Sequence, residues 1–128
     1  MSMPHRPLGK SGMVVSAVGW STGALARPSG PAPPAALVRA ALDAEIDLFD
    51  SAPAGDAQDT LARVLGGQRR HLALGARCVA TAGPGAFSPP NRAWRPPEVR
   101  LRLEAALRQL QTDWLDVWLL DDPPPEAM

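Results

Sequence analysis

Short apolar runs alternate along this chain with segments whose apolar residues recur at helical spacing. The apolar runs with β-branched and aromatic residues predict strands over residues 14–20, 46–50 and 114–120, and a weaker run predicts a further strand over residues 71–78. The segments with helical spacing cover residues 35–44, 57–65 and 96–110. Because strands and helices alternate, we expect parallel strands joined by helical crossovers.

Polar and conformationally special residues mark the ends of these elements. Asp56 is predicted to be the N-cap of the second helix, and the pair at 66–67, both glycine, is predicted to end it. Pro96 suits the first turn of the third helix. The stripe of that helix that is expected to face the core consists of Val99, Leu103, Leu107 and Leu110. Trp114 and Trp118 lie four residues apart in the last strand and are expected on one face of the sheet.

The length of the chain limits the architecture. It has 128 residues, which is expected to be one domain over residues 1–128. A closed barrel of eight parallel strands with outer helices typically has about 250 residues. We therefore predict an α/β fold that corresponds to about half of a (β/α)8 TIM-type barrel, with about four parallel strands and their crossover helices.

The composition excludes several classes of protein. The formal net charge is +0, from 13 basic and 13 acidic residues, which argues against nucleic acid or an anionic membrane surface as a partner. No apolar run is long enough to cross a membrane, and the first residues lack the apolar core of a signal peptide. We therefore predict a cytoplasmic protein. Cys78 is the single cysteine and is expected to be buried and inert, so neither a disulfide nor a cysteine-built zinc site is expected.

Three segments of the sequence carry a resemblance to a known family. Residues 6–16 have the sequence RPLGKSGMVVS, residues 41–52 have ALDAEIDLFDSA, and residues 107–120 have LRQLQTDWLDVWLL. In this order and spacing they resemble the N-terminal half of the aldo-keto reductases. The resemblance implies an N-terminal hairpin before the first barrel strand. It also implies the family's reaction, which is the reduction of carbonyl groups with hydride from NADPH.

The resemblance implies a catalytic set of aspartate, tyrosine, lysine and histidine, in which the tyrosine is the general acid. Asp50 matches the aspartate. Gly55 stands where the tyrosine is expected, or that residue is deleted, and the chain contains no tyrosine. Arg77 stands at the lysine position and Asp121 at the histidine position. Three of the four residues are therefore replaced, and the candidate catalytic residues are Asp50, Arg77 and Asp121.

Each candidate also has a structural interpretation. Asp50 and Arg77 are expected to form an ion pair inherited from the family site, since the charge partner is kept while the acid is lost. Asp121, in the loop before a proline run, is more typically a solvated loop residue. The resemblance also implies Thr22 and Asp50 as contacts of the cofactor. No metal site is predicted.

These residues leave several functions open. The chain is predicted to be an aldo-keto-reductase-like subunit that is non-catalytic or depends on a partner. The alternatives are an NAD(P)H-dependent oxidoreductase completed by another chain, a cofactor-independent isomerase or cyclase that uses Asp50 and Asp121, and a decayed gene product. No cofactor is expected on the isolated chain, and NADPH is expected only if the family activity survives in a complex. Open sheet edges predict a partner that completes the barrel, either a second copy or another protein.

Overall fold

The computed structural model describes residues 2–26, 30–53, 56–79, 94–121 and 123–125. The strands are β1 (His5–Pro7), β2 (Val14–Ser16), β3 (Trp20–Ser21), β4 (Leu48–Ser51), β5 (Ala73–Val79) and β6 (Val117–Asp121). The helices are α1 (Gly23–Ala26), α2 (Pro34–Asp43), α3 (Ala57–Leu65) and α4 (Pro96–Gln109), and a 3₁₀ segment covers Gly66–His71. Within these residues, no helix is both long and apolar enough to cross a membrane.

Four of the strands form a parallel sheet in the order β3-β4-β5-β6. Helices lie between successive strands of this sheet along the chain. The alternation of strands and helices therefore predicted the parallel sheet and its crossovers correctly. The predicted strand bounds differ by a few residues from those observed, because the hydrogen-bond ladder, and not the length of the apolar run, sets where pairing begins.

The two remaining strands, β1 and β2, form an antiparallel hairpin, in which Arg6 pairs with Val15. The hairpin implied by the resemblance is present, but the single strand predicted over residues 14–20 is wrong. Its first part is β2 of the hairpin, and its last residue opens β3 in the parallel sheet. The chain changes partner between them, where the Ser16 hydroxyl donates a hydrogen bond to the Val18 carbonyl at 2.8 Å. An apolar run does not show where the backbone changes its partner strand.

The main core lies between one face of the sheet and the helices. Phe49, Leu74 and Ala76 project from that face and are almost completely buried. Residues of α2, α3 and the α4 region pack against them: Val38, Ala41, Leu61, Leu65, Ala106 and Leu110. Because side chains alternate along a strand, the residues between them in β4 and β5 face the other side of the sheet. That second face carries the candidate site.

The termini of α3 lie where they were predicted, with Asp56 at the N-cap and Gly66 at the C-cap, but neither makes the capping interaction typical of its residue type. The side chain of Asp56 makes no capping hydrogen bond, although its carbonyl accepts the Thr60 amide at 3.0 Å. Gly66 has φ of −50° and remains right-handed, so it does not form the glycine cap that ends many helices. The chain continues instead into the 3₁₀ segment. The reason is tertiary, since Arg69 of this segment is buried and donates hydrogen bonds to Thr112 and Trp114 in the connection before β6, and to Leu72 just after the segment.

The α4 region confirms part of its predicted pattern. The helix begins at Pro96. Of the predicted stripe, Leu110 is buried, while Val99, Leu103 and Leu107 are half-buried. Ala106, which was not part of the stripe, is also buried. The shared face predicted for Trp114 and Trp118 is wrong, because β6 begins only at Val117. Trp114 lies before the strand and stacks against the Arg69 guanidinium, which is 4.1 Å from the centre of its ring.

Candidate functional site

Three charged residues lie at the C-terminal ends of neighbouring strands. Asp50 is near the end of β4, Arg77 near the end of β5, and Asp121 is the last residue of β6. The register pairs Asp50 with Gly75, two residues before Arg77, and pairs Val79 with Asp121. Since residues two apart on a strand face the same side, all three side chains project from the face of the sheet opposite the helices. The structure thus brings together all three candidate catalytic residues.

Asp50 and Arg77 form a close ion pair. The Nε and Nη2 atoms of Arg77 both lie 2.7 Å from Oδ2 of Asp50. The Ser21 hydroxyl donates a longer hydrogen bond, of 3.4 Å, to the same oxygen. The other oxygen, Oδ1, is buried and has no hydrogen-bond partner among the described residues. The pair is only partly shielded from solvent, because the side chains are 22% and 38% exposed.

This pairing fixes the charge of Arg77. The hydrogen bond that Arg77 donates to Asp50, followed by the negative charge of Asp50, raises the pKa of the Arg77 guanidinium above an already high usual value. Arginine is effectively always protonated in proteins, even without such a partner. Arg77 can therefore donate hydrogen bonds and carry a positive charge, but it cannot release a proton to a neighbour at physiological pH.

Asp121 completes the group on the other side of Arg77. One of its carboxylate oxygens lies 3.9 Å from Nη1 of Arg77, and its side chain is 47% exposed. The distance is an ionic contact and exceeds a hydrogen bond. With two carboxylates and one guanidinium, the three residues carry a formal charge of −1. Asp121 is the most exposed side chain of the three.

Other residues singled out in the sequence have structural surroundings. Thr22 is fully buried, its hydroxyl accepts the Ala52 amide at 2.9 Å, and its own amide donates to the Asp50 carbonyl at 3.0 Å. It holds two strand ends together, and its role as a cofactor contact stays a prediction. Cys78 is buried in a small cluster with Trp94. Gly55, at the position expected for the tyrosine, lies outside the described residues.

Sequence reasoning missed one member of the site. Ser21 pairs with Asp50 across β3 and β4, and this places its hydroxyl beside the carboxylate. No pattern in the sequence singles it out, because β3 has only two residues. Among the described residues, no group of three or more histidine, cysteine, aspartate or glutamate side chains is placed to hold a metal ion.

Comparison with known proteins identifies the family. The model of the aldo/keto reductase family matches residues 19–128. The chain belongs to this family. A 6-dehydroglucose reductase from Novosphingobium aromaticivorans is 33% identical, in a match that covers 92% of this chain and 41% of that protein. The chain therefore spans less than half the length of this relative.

Solved structures of the family have the same fold. An aldo-keto reductase from Pseudomonas aeruginosa superposes with a TM-score of 0.77 at 30% identity, covering 94% of this chain and 48% of that structure. The holo form of an aldo-keto reductase from Bacillus halodurans gives a TM-score of 0.73 at 23% identity, covering 92% of this chain and 40% of that structure. The described fold corresponds to half of an aldo-keto reductase TIM barrel, as the sequence predicted.

These three residues offer no free cation to the anionic phosphate groups of the family's nicotinamide cofactor. The group formed by Asp50, Arg77 and Asp121 carries a net negative charge. The hydrogen bond of Arg77 and its shortest ionic contact, both at 2.7 Å, are directed to Asp50. No step of a reaction through this cofactor follows from these residues.

Proposed function

We propose that this chain is an aldo-keto-reductase-like subunit that does not itself catalyse carbonyl reduction and acts through a partner that completes the barrel. The observation that carries this proposal is the contact of Arg77 with Asp50, through two nitrogens at 2.7 Å from one oxygen. Arg77 occupies the position where the resemblance implies a lysine that assists a proton donor. A cytoplasmic location belongs to the same proposal.

The chemistry of the pair supports a non-catalytic role. A general acid must release its proton in the transition state, and a neighbour that lowers its pKa assists it. Arg77 is held by Asp50 as a permanent cation, and the chain has no tyrosine that could be the acid. Asp121, at the place of the family's histidine, brings a second negative charge to the site. These groups form a stable ion network and not a proton-donating one.

The edges of the sheet support a partner. Within the described residues, β3 pairs only with β4, and β6 pairs only with β5. The β6 edge carries Leu119 and Leu120, which are exposed. Open edges with apolar side chains favour pairing with further strands. A second copy of the chain, or a separate protein with the remaining strands, would cover both edges.

The experiment measures assembly and activity on the same sample. Light scattering of the purified chain at micromolar concentration is expected to show a species larger than the 13.5 kDa chain. With NADPH and a panel of aldehydes, followed at the nicotinamide absorbance, we expect no turnover in either the wild type or the surface control Asp113→Asn. Turnover near the typical enzyme value of ~10 s⁻¹ would disprove the non-catalytic role. A folded monomer that unfolds cooperatively on heating would disprove the proposal that the chain needs a partner to complete the barrel.

One observation favours a second candidate function, an isomerase or cyclase that needs no cofactor. Asp121 is accessible and lies 3.9 Å from the permanent cation of Arg77. A carboxylate can remove a proton from the carbon beside a carbonyl group, and a guanidinium can stabilise the resulting oxyanion. The proton would then return to the carbon that carried the carbonyl oxygen, and the hydroxyl proton of the neighbouring carbon would pass to that oxygen, so that the carbonyl group moves by one carbon.

This candidate predicts exchange of carbon-bound hydrogen with solvent. In D₂O, hydroxy-carbonyl compounds such as simple sugars should gain deuterium beside the carbonyl in the presence of the wild type. The exchange should disappear in Asp121→Asn and persist in Asp113→Asn. No exchange above the protein-free rate would eliminate this function and leave the first proposal untouched.

A further inference from the structure

The carboxylate of Asp47, just before β4, joins the N-terminal hairpin to the parallel sheet. Oδ1 of Asp47 accepts a hydrogen bond from the amide of Ser16 on β2 at 2.6 Å, and the main-chain amide of Asp47 donates to the Ser16 hydroxyl at 3.2 Å. Its Oδ2 lies 3.0 Å from Nε2 of His5 on β1. Its carbonyl accepts the amide of Ala73 on β5 at 2.7 Å. One residue thus contacts both strands of the hairpin and a strand of the sheet.

The ring of His5 has an acceptor at each nitrogen. Nε2 faces the Asp47 carboxylate, and Nδ1 lies 3.0 Å from the main-chain carbonyl oxygen of Met3. A carbonyl oxygen can only accept a hydrogen bond, and so can an ionised carboxylate. A neutral imidazole has a single N–H and can satisfy only one of them. Both hydrogen bonds form together only when the ring carries a proton on each nitrogen.

We propose that the hairpin is a pH-sensitive latch, held to the sheet by doubly protonated His5 and loosened when the ring loses one proton. The side chain of His5 is 39% exposed, so its ring can exchange protons with solvent, and histidine is the residue type that most often acts as a switch near neutral pH. One acidic group contacts the ring and a second binds the neighbouring backbone. Asp47 contacts the ring directly, and Glu45 accepts the Met3 amide at 2.8 Å.

The latch lies apart from the site described above. Asp47 precedes β4, whereas Asp50, Arg77 and Asp121 lie toward the other ends of the strands. Release of the hairpin would expose Val15 and Ser16, which are 5% and 2% exposed when it is in place. The latch therefore controls access to the N-terminal end of the sheet, and it does so whatever the function of the charged site.

The experiment measures amide protection in the whole chain by NMR at pH 5.5 and at pH 8.0. Protection factors already account for the intrinsic pH dependence of exchange. The Ser16 amide is expected to lose protection about three- to fivefold at the higher pH, the scale of a partly exposed ion pair. The Ala73 amide, which belongs to the sheet, is expected to stay constant. His5→Gln should abolish the pH dependence at Ser16, whereas His71→Gln, which alters the only other histidine, should keep it.

A second readout observes the ring directly. Nitrogen chemical shifts at pH 5.5 should show both nitrogens of His5 protonated. A neutral tautomer of His5 at that pH would overturn the proposal. So would Ser16 protection that is equal at the two pH values in the wild type, or that falls equally in His5→Gln. If His5→Gln does not fold, the comparison of wild type with His71→Gln and the ring shifts still decide the matter.

Discussion

Removal of either member of the Asp50–Arg77 pair should destabilise the fold, and the two changes should be coupled. The perturbations are Asp50→Asn, Arg77→Met and the double variant, which together form a cycle. The structure also makes the two single changes unequal. Without Arg77, the Asp50 carboxylate loses its charged partner and keeps only the long hydrogen bond of 3.4 Å from Ser21. Without the Asp50 charge, Arg77 still has Asp121 at 3.9 Å.

The magnitude follows from how far the pair is exposed. Exposed ion pairs contribute about 0–1 kcal/mol, and loss of one partner of a buried pair costs about 3–5 kcal/mol. Asp50 and Arg77 are 22% and 38% exposed and lie between these limits. We expect Arg77→Met to cost about 2–3 kcal/mol, Asp50→Asn about 1–2 kcal/mol, and the coupling to be about 1–2 kcal/mol.

Two other ion pairs of the chain are matched controls. Arg69 and Asp116 are 10% and 20% exposed, with Nη2 and Oδ2 at 3.1 Å, and Arg69 also donates to the Leu72 and Trp114 carbonyls. Loss of Arg69 should therefore cost about 3–5 kcal/mol. Arg100 and Glu104 form an exposed i,i+4 pair in α4 with a separation of 3.6 Å, and their coupling should be about 0.3–0.5 kcal/mol.

The assay is equilibrium unfolding in urea, with the transition midpoint compared at constant slope. The expected order of destabilisation places the Arg69 pair first, the Asp50–Arg77 pair second and the helix pair last. Two results would refute the reasoning. One is a coupling between Asp50 and Arg77 no larger than that of Arg100 and Glu104. The other is a greater loss of stability for Asp50→Asn than for Arg77→Met, since that would mean that Asp121 does not compensate.

Three further outcomes can be measured in the same way. Ser51 and Thr22 are both fully buried, but the Ser51 hydroxyl has no hydrogen-bond partner among the described residues, whereas the Thr22 hydroxyl accepts the Ala52 amide. Ser51→Ala should therefore be neutral or stabilising by up to ~1 kcal/mol, while Thr22→Val should cost ~1–2 kcal/mol. Equal effects of the two substitutions would contradict this. A Cβ on Gly75 would lie 3.3 Å from the Cβ of Val117, which is fixed to the backbone, so Gly75→Ala should cost ~1–2 kcal/mol. Gly67, with open space around it, is the control, and Gly67→Ala should be neutral or slightly stabilising. Because the pKa of Arg77 is raised, its stabilisation is present below the usual arginine pKa and lost only above it. The difference in urea midpoint between wild type and Arg77→Met should therefore be the same at pH 7 and pH 10.

The sequence by itself determined the order and type of the main elements. Periodicity of two or about 3.6 residues is a local property, and strand–helix alternation leaves few topologies other than a parallel sheet. The resemblance to the aldo-keto reductases supplied Asp50, Arg77 and Asp121 as the candidate residues and implied the ion pair of Asp50 with Arg77. In the parallel sheet these positions lie at the C-terminal ends of neighbouring strands, which is why the structure brings them together.

Only the tertiary structure decided where the backbone changes partners and which polar residues are buried. The run at residues 14–20 is mainly apolar, yet it is divided between two sheets because Ser16 binds Asp47, 31 positions away along the chain. Gly66 keeps a right-handed backbone, and Trp114 lies outside the strand that was predicted to contain it. Buried Arg69 explains both, because it lies in the 3₁₀ segment that begins at Gly66 and it binds the ring and the carbonyl of Trp114. Such contacts join residues that are distant in sequence, and local periodicity carries no information about them.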